Sequence, residues 1–270
     1  MSFLVLFAYK NPGQSVSEPK DGNKFVISKE IENMTITTLY DNYEYETGLE
    51  FGWGFSCLIE TEDRKILFDT GESPRELIEN MKSLDINPES IDELFLSHRH
   101  CDHVGGLEGF LKENNNVTVY ILESFPGNVE NIIENAGSKY LKMNDFVELH
   151  GGVMTTGSLG MSPKEQSLVI NTEKGLVIVT GCAHPGIVKI LDFVRDKTGE
   201  DIYLVMGGFH LGSYSEREIM DIVGSFRKLG VEKVAPSHCS GDTARKIFER
   251  EYGENFIENG IGRVIEFSRN

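Results

Sequence analysis

The sequence predicts an α/β fold in which two β-sheets pack together and helices cover their outer faces. The first half of the chain contains short β-branched segments separated by turn residues, whereas the second half alternates strand-like and helix-like segments. Hydrophobic residues make up 39% of the 270 residues and charged residues 26%, which is the balance of a globular protein. Regular patterning begins near Met34, so we predict an N-terminal arm at residues 1–33 and one domain at residues 34–270.

The strands are predicted from short runs of β-branched and aromatic residues. Glu62 and Asp63 separate two such runs and predict a hairpin between them. The predicted strands are, in chain order, Thr35–Tyr40, Ser56–Glu60, Lys65–Phe68, Glu93–Ser97, Val117–Leu122, Ser167–Asn171, Leu176–Thr180, Ile202–Met206 and Lys233–Pro236.

The helices are predicted from apolar residues at helical spacing and from residues that favour helix starts. In the first of them, Leu77, Met81 and Leu84 share one face, Ser73 is a candidate N-cap, and Pro74 suits the first turn. The predicted helices are Pro74–Leu84, Leu107–Glu113, Gly186–Lys197, Ser215–Leu229 and Thr243–Tyr252.

Charge and cysteine usage restrict the class of function. The formal net charge is −17, which disfavours nucleic acid and anionic membranes as partners. No apolar run approaches the roughly 20 residues that span a bilayer. The four cysteines are far apart in sequence, which favours free thiols in a reducing compartment. We therefore expect a cytoplasmic protein with a small-molecule substrate, and the sequence does not indicate its oligomeric state.

The densest group of metal-ligand residues directly follows the predicted strand Glu93–Ser97. His98 and His100 are two apart on an extended segment and can point to one side. Asp102 and His103 lie where the chain turns into a helix and can reach a second ion nearby. Imidazole and carboxylate groups are ligands of Zn²⁺. The sequence thus predicts two divalent metal ions, with Zn²⁺ as the first choice and Mn²⁺ or Fe²⁺ as alternatives.

Three further histidines, His184, His210 and His238, follow predicted strands in segments of small residues. Loops that leave the carboxyl ends of strands are where sites assemble in α/β folds. We predict a catalytic role for His210, as a donor to a developing oxyanion or to the leaving group, with a packing role as the alternative. His150 lacks such a setting and is predicted to lie on the surface.

Aromatic and thiol side chains near these motifs leave alternatives open. Trp53, in the segment Glu50–Phe55, is predicted either to cover the site and contact a ring-shaped substrate or to be a core residue. Cys101 and Cys239 are expected to be small buried residues of structural importance. For Cys182, a metal-binding role and a structural role are equally weighted.

These motifs resemble those of the metallo-β-lactamase superfamily. Its HxHxDH motif matches His98–His103, its FDTG element matches Phe68–Gly71, and its late histidine follows Ser237. The resemblance implies a four-layer αββα sandwich with the metals at one edge of the sheets. It also implies one ion on His98, His100 and His184 and the other on Asp102, His103 and His238, with Asp69 hydrogen-bonded near these ligands.

Two segments, Thr180–Gly186 and Gly207–Leu211, are similar to a subgroup named after a dihydropterin ribofuranosylaminobenzene phosphate synthase. Many dinuclear members of the superfamily place a Gly-Asp after the corresponding strand, and that aspartate bridges the two metals. Here the strand is followed by Gly181, Cys182, Ala183 and His184. Cys182, His184 or a water alone is therefore expected in the bridging region.

The leading functional prediction is a dinuclear metal-dependent hydrolase of a phosphoester, lactone or related small-molecule ester. Asp102 would orient the attacking water or accept its proton. The alternative enzyme is a metal-dependent synthase that joins a pterin-linked diphosphate to an arylamine-type partner. An alternative from another class is a non-enzymatic metal-binding redox or sensor module.

Overall fold

The computed structural model describes residues 24–268, so most of the predicted N-terminal arm, residues 1–23, lies outside the described residues. The rest of that arm contacts the domain. The Phe25 N–H donates to the Lys197 carbonyl at 2.7 Å, and Ile31 forms an isolated bridge with Thr172. The division of the chain at residue 34 stays a prediction.

The strands form where β-branched and aromatic residues cluster, and the helices form where apolar residues recur at helical spacing. The strands are β1 (Met34–Tyr40), β2 (Ser56–Thr61), β3 (Lys65–Phe68), β4 (Glu93–Phe95), β5 (Thr118–Leu122), β6 (Lys139–Met143), β7 (Val147–His150), β8 (Val153–Thr155), β9 (Leu168–Thr172), β10 (Gly175–Thr180), β11 (Ile202–Gly208), β12 (Lys233–Ser237) and β13 (Val264–Phe267). The helices are α1 (Pro74–Ser83), α2 (Cys101–Val104), α3 (Leu107–Glu113), α4 (Gly127–Ala136), α5 (Ile187–Thr198), α6 (Glu216–Lys228) and α7 (Asp242–Tyr252).

The strands of residues 24–268 form two mixed sheets. One sheet has the order β13-β1-β2-β3-β4-β5-β6, and the other has the order β12-β11-β10-β9-β8-β7. β2 and β3 form the predicted antiparallel hairpin, whereas β3, β4 and β5 run parallel. In the second sheet β10, β11 and β12 run parallel. Parallel neighbours bring their carboxyl ends, and the loops that follow them, to one edge of each sheet.

Three buried clusters divide the molecule into layers. The middle cluster joins the inner faces of the sheets, with Phe68 and Phe95 from one and Val179 and Met206 from the other. A second cluster packs α1, α3 and α4 on the outer face of the first sheet, and a third packs α5, α6 and α7 on the second. Burial of these apolar faces drives the stacking. The predicted αββα four-layer sandwich is confirmed.

Several elements were not predicted. β6, β7, β8 and β13 have three to five residues each and lie at or near sheet edges, whereas α4 is a ten-residue helix that the sequence patterns did not reveal. β6 has a largely exposed face, so its sequence Lys-Tyr-Leu-Lys-Met lacks the apolar density of a central strand. β4 ends at Phe95, two residues earlier than predicted, because the Ser97 N–H donates to the Asp69 carboxylate instead of to a neighbouring strand.

His150, at the end of β7, differs from its predicted position on the surface. Its ring is half-buried, and Nε2 lies 2.8 Å from Oε2 of Glu93, a buried residue of β4. A buried carboxylate requires a polar partner, and His150 provides it across the two sheets. The prediction of a surface histidine was therefore wrong.

Candidate metal centre

Ligand-type side chains from both sheets converge where the parallel strands end. Asp69 follows β3, the His98–His103 segment follows β4, and residues 182–184 follow β10. His210 follows β11 and His238 follows β12. The sheet edge therefore brings together residues that are up to 169 positions apart in sequence (69 and 238).

The first group, here called the three-histidine group, consists of His98, His100 and His184. Their ring centroids lie 4.8 Å apart in each of the three pairs. One ring nitrogen of each lies within 4.8 Å of those of the other two. Ligands of one ion that bind at about 2.0–2.1 Å must converge in this way.

The second group, here called the mixed group, consists of Asp102, His103, His238 and Cys182. Oδ2 of Asp102 lies 3.3 Å from Nε2 of His238 and 3.7 Å from Nε2 of His103. Sγ of Cys182 lies 3.2 Å from Nε2 of His103. Cys182 thus contributes a thiol to the mixed group, and a bridging role for it stays a prediction. The two groups adjoin, since the His98 and His103 ring centroids are 4.1 Å apart.

Asp69 orients both groups through hydrogen bonds. Its Oδ2 accepts from Nδ1 of His103 at 2.7 Å and from Oγ of Ser97 at 2.6 Å. Nδ1 of His98 lies 3.0 Å from the same Ser97 hydroxyl. A Cβ on Gly181 would lie 2.2 Å from that hydroxyl, so a glycine is required for this close approach. Asp69 is buried and fixes which nitrogen of His103 faces the centre.

Asn42 has the same function for His238. Its Oδ1 lies 2.9 Å from Nδ1 of His238, and the Asp41 carboxylate accepts the His238 backbone N–H at 3.3 Å. Neither residue was singled out in the sequence. Both precede the first recognisable motif by more than 25 positions, in a loop without a local ligand pattern.

The unpaired atoms of the site fit a metal centre. Nε2 of His98 and His184 is buried and finds no hydrogen-bond partner within residues 24–268. Nε2 of His238 is buried too and makes no hydrogen bond, although Oδ2 of Asp102 lies 3.3 Å away. Burying a polar atom without a partner costs about 1–3 kcal/mol, so a functional reason for such atoms is expected. In His98 and His238 the other nitrogen is hydrogen-bonded, which directs Nε2 toward the centre.

Glu165 is a buried residue of the site that sequence reasoning missed. Its carboxylate accepts three successive backbone N–H groups, from Cys182 and Ala183 at 2.9 and 2.8 Å and from His184 at 2.8 Å. Burial raises the pKa of Glu165, and the three hydrogen bonds oppose that shift. The carboxylate fixes the loop that supplies one ligand to each group.

Electrostatics favours neutral imidazoles in the three-histidine group. Burial, with repulsion from neighbouring histidines, lowers the pKa of His98 well below its usual value and that of His184 to about 4. Burial also lowers the pKa of His103, but Asp69 outweighs it and the pKa is raised. For Asp102, burial raises the pKa, but His238 and His103 lower it by more. The net pKa lies well below its usual value, so the carboxylate is ionised at neutral pH.

Backbone strain is concentrated at the site. Of the five non-glycine residues with positive φ in residues 24–268, Asp69, Ala183, His210 and His238 lie here, and Asp85 lies elsewhere. Such conformations cost about 1–3 kcal/mol each and persist where surrounding contacts impose them. The ligand-bearing loops are therefore held in geometries that an unconstrained chain would avoid.

The remaining candidate residues surround these groups. Trp53 is 54% exposed, and its ring centroid lies 5.0 Å from that of His238, so it is a rim residue and not a core residue. Cys101 is exposed, contrary to the expectation of a buried cysteine. Cys239 is half-buried and lies with Cys182 and His210 in a third cluster of ligand atoms.

The chain belongs to the metallo-β-lactamase superfamily, whose family model matches residues 51–238. It is 32% identical to the 7,8-dihydropterin-6-methyl-4-(β-D-ribofuranosyl)-aminobenzene-5′-phosphate synthase of Methanocaldococcus jannaschii, over 88% of this chain and 98% of that protein. The exodeoxyribonuclease WalJ of Streptococcus pneumoniae is 24% identical over 80% of this chain and 82% of that protein.

A solved structure supports the same superfamily membership. The crystal structure of Tm1679, described as a metal-dependent hydrolase of the β-lactamase superfamily, superposes with a TM-score of 0.75. The two chains are 29% identical, and the match covers 87% of this chain and all of that one. The predicted membership of the metallo-β-lactamase superfamily and the resemblance of this chain to the pterin-related subgroup are thus confirmed.

Replacing Asp69 with asparagine is expected to weaken metal retention by about 10–100-fold while the fold is kept. An amide has one acceptor oxygen and no negative charge, whereas Asp69 uses one oxygen for the Ser97 N–H and the other for His103. Competition with a chelator measures the dissociation constants. Asp85→Asn is the matched control, since Asp85 also has a positive φ but is exposed and outside the site. Equal metal affinity in Asp69→Asn and Asp85→Asn would show that Asp69 is only a turn residue.

Proposed function

We propose that this chain is a two-metal enzyme that hydrolyses a phosphoester, lactone or related ester of a small molecule. The observation that carries the proposal is the adjacency of the three-histidine group and the mixed group, each able to hold one divalent ion. The ligand types favour Zn²⁺, with Mn²⁺ or Fe²⁺ as alternatives. Ions bound there would polarise a phosphoryl or carbonyl oxygen and lower the pKa of water toward neutrality.

The residues of the chain supply positioning and proton transfer. The Asp102 side chain is 13% exposed, so it can reach a substrate as well as the centre. As an ionised carboxylate between His103 and His238, it is placed to orient the attacking water and accept its proton. The ring of His210 lies next to the thiols of Cys182 and Cys239, so no contact with the substrate is assigned to it.

The surroundings of the centre support a small organic substrate. Trp53 offers an exposed aromatic face beside His238, which suits a substrate that contains a ring. The net charge of −17 opposes binding to a nucleic acid backbone. The described residues contain no helix that is both long and apolar enough to cross a membrane. Free thiols at the centre favour a cytoplasmic location.

A second candidate function is supported by the relative from Methanocaldococcus jannaschii. Identity of 32% over almost all of both chains favours a related synthase reaction. In that case the acceptor would be an arylamine-type molecule in place of water, and the leaving group would be the diphosphate of a pterin-linked substrate. The same two ligand groups would bind and polarise that diphosphate.

Product analysis in ¹⁸O-labelled water separates the two reactions. The metal-loaded protein is incubated with a panel of aryl phosphoesters, lactones and a pterin-linked diphosphate, with and without an arylamine. We expect turnover with one ¹⁸O atom incorporated per bond cleaved, which is hydrolysis. Turnover that requires the arylamine and incorporates no label would contradict hydrolysis and establish the synthase. If neither reaction occurs with the metal-loaded protein, both enzymatic proposals fail.

A further inference from the structure

A third cluster of ligand atoms lies beside the mixed group, formed by Cys182, His210 and Cys239. Their Sγ atoms and a ring nitrogen of His210 lie within 4.8 Å of one another. Cys182 belongs to this cluster and to the mixed group alike. Two thiols and an imidazole are a ligand set found at zinc sites that keep an open position for water.

The loops that carry His210 and Cys239 are bound to each other. The Phe209 N–H donates to the Ser240 hydroxyl at 3.0 Å, and the Gly212 N–H donates to the Cys239 carbonyl at 3.3 Å. The Phe209 side chain is buried against α6 and α7 and anchors the first of these loops. The two ligand-type side chains are therefore held next to each other by bonds that do not involve them.

The backbone makes room for the Cys239 thiol. A Cβ on Gly208 would lie 2.7 Å from Sγ of Cys239 and 2.3 Å from the Gly181 carbonyl oxygen. Only a glycine permits β11 to approach so closely. His210, two residues further on, has a φ of 56°, a conformation that a histidine adopts where its neighbours impose it.

We propose that Cys182, His210 and Cys239 form a third metal site, which takes a thiophilic divalent ion such as Zn²⁺. Cys182 is shared with the mixed group, so its thiolate would be a ligand of both ions. Soft thiolate ligands select such ions over Mg²⁺, Ca²⁺ and Mn²⁺. His210 is exposed, so solvent reaches the cluster and can complete the coordination. This site goes beyond the proposed two-metal function and assigns His210 to metal instead of substrate.

Cobalt binding tests the third site. The reduced, chelator-stripped full chain is titrated with Co²⁺, and both bound metal and the near-ultraviolet absorption from thiolate-to-cobalt charge transfer are measured. We expect about three equivalents in the unmodified chain and about two in Cys239→Ser, with the charge-transfer absorption at least halved. Cys101→Ser, which removes an exposed thiol outside the cluster, is the control and should match the unmodified chain.

His210→Ala provides an independent test, since His210 is exposed and its replacement leaves both thiols in place. We expect His210→Ala, like Cys239→Ser, to bind about one equivalent of Co²⁺ fewer than the unmodified chain. Full cobalt content and absorption in both variants would overturn the third site, as would an unmodified chain that binds only about two equivalents. The two-metal proposal survives either result. It fails, together with the third site, if the unmodified chain binds no cobalt.

Discussion

Replacing Asp102 with alanine is expected to lower kcat by about 10²–10⁴-fold, the range for loss of a general acid or base. The loss should be accompanied by release of the ion in the mixed group, because the Asp102 carboxylate is one of that group's ligand-type side chains. Metal content and steady-state kinetics of the same preparation, with whichever substrate the enzyme turns over, measure both effects.

Two further variants define the role of Asp102. Asp102→Asn retains the shape and one oxygen ligand but cannot accept a proton, so we expect better metal retention than in Asp102→Ala with a similar loss of kcat. Glu108→Ala, which removes an exposed carboxylate of α3 paired with Lys112, is the control. Asp102→Ala with unchanged kcat and full metal content would remove Asp102 from the mechanism.

Replacing Glu165 with alanine is expected to lower the free energy of unfolding by at least about 3 kcal/mol. Three backbone N–H groups lose their acceptor, two of them buried and that of His184 half-buried, and each such loss costs about 1–3 kcal/mol. Because Cys182 and His184 belong to different ligand groups, metal affinity should fall at both, by about 10–100-fold. Urea unfolding and chelator competition measure the two effects.

Lys164→Ala is the matched control for Glu165, since Lys164 is its exposed neighbour. Glu165→Gln keeps one acceptor oxygen and most of the volume, so it should remain folded and still bind metal more weakly than the unmodified chain. A folded Glu165→Gln protein with undiminished affinity at both groups would show that Glu165 stabilises the loop without positioning the ligands.

The parts of the site that sequence reasoning found are those with a local signal. His98, His100, Asp102 and His103 lie within six positions, and the bend from β4 into α2 brings them together. His184, His210 and His238 could be singled out because each follows a strand in a segment of small residues. Which histidine joins which group depends on the packing of the two sheets, which a linear pattern does not contain.

Residues that act through backbone contacts could not be found in this way. Glu165 lies 17 positions before the first N–H that it binds, and Asn42 is 196 positions from His238. Neither separation matches a helix or strand period, so no repeat in the sequence links the partners. The sequence did carry one indirect signal, namely the glycines that flank Cys182 and His210, since close backbone approach requires them.

The limits of the fold prediction have a similar cause. Central strands such as β10, with Leu176–Thr180, are buried on both faces and read as continuous apolar runs. β7 and β13 lie at sheet edges and have four residues each, too few to distinguish a strand from a loop. β7 is half-buried throughout, and only β13 alternates between exposed and buried residues. Their pairing is fixed by neighbours, β8 and β1, that lie elsewhere in the chain.

Anomalous diffraction at the zinc absorption edge, from crystals of zinc-repleted protein, tests the central claim most directly. We expect one peak among His98, His100 and His184 and a second among Asp102, His103 and His238, each within about 2.0–2.2 Å of its ligand atoms. A further peak at Cys239 would add to this result and not alter it. Crystals from fully repleted protein with no peak at either group, or with zinc bound only elsewhere, would contradict the account.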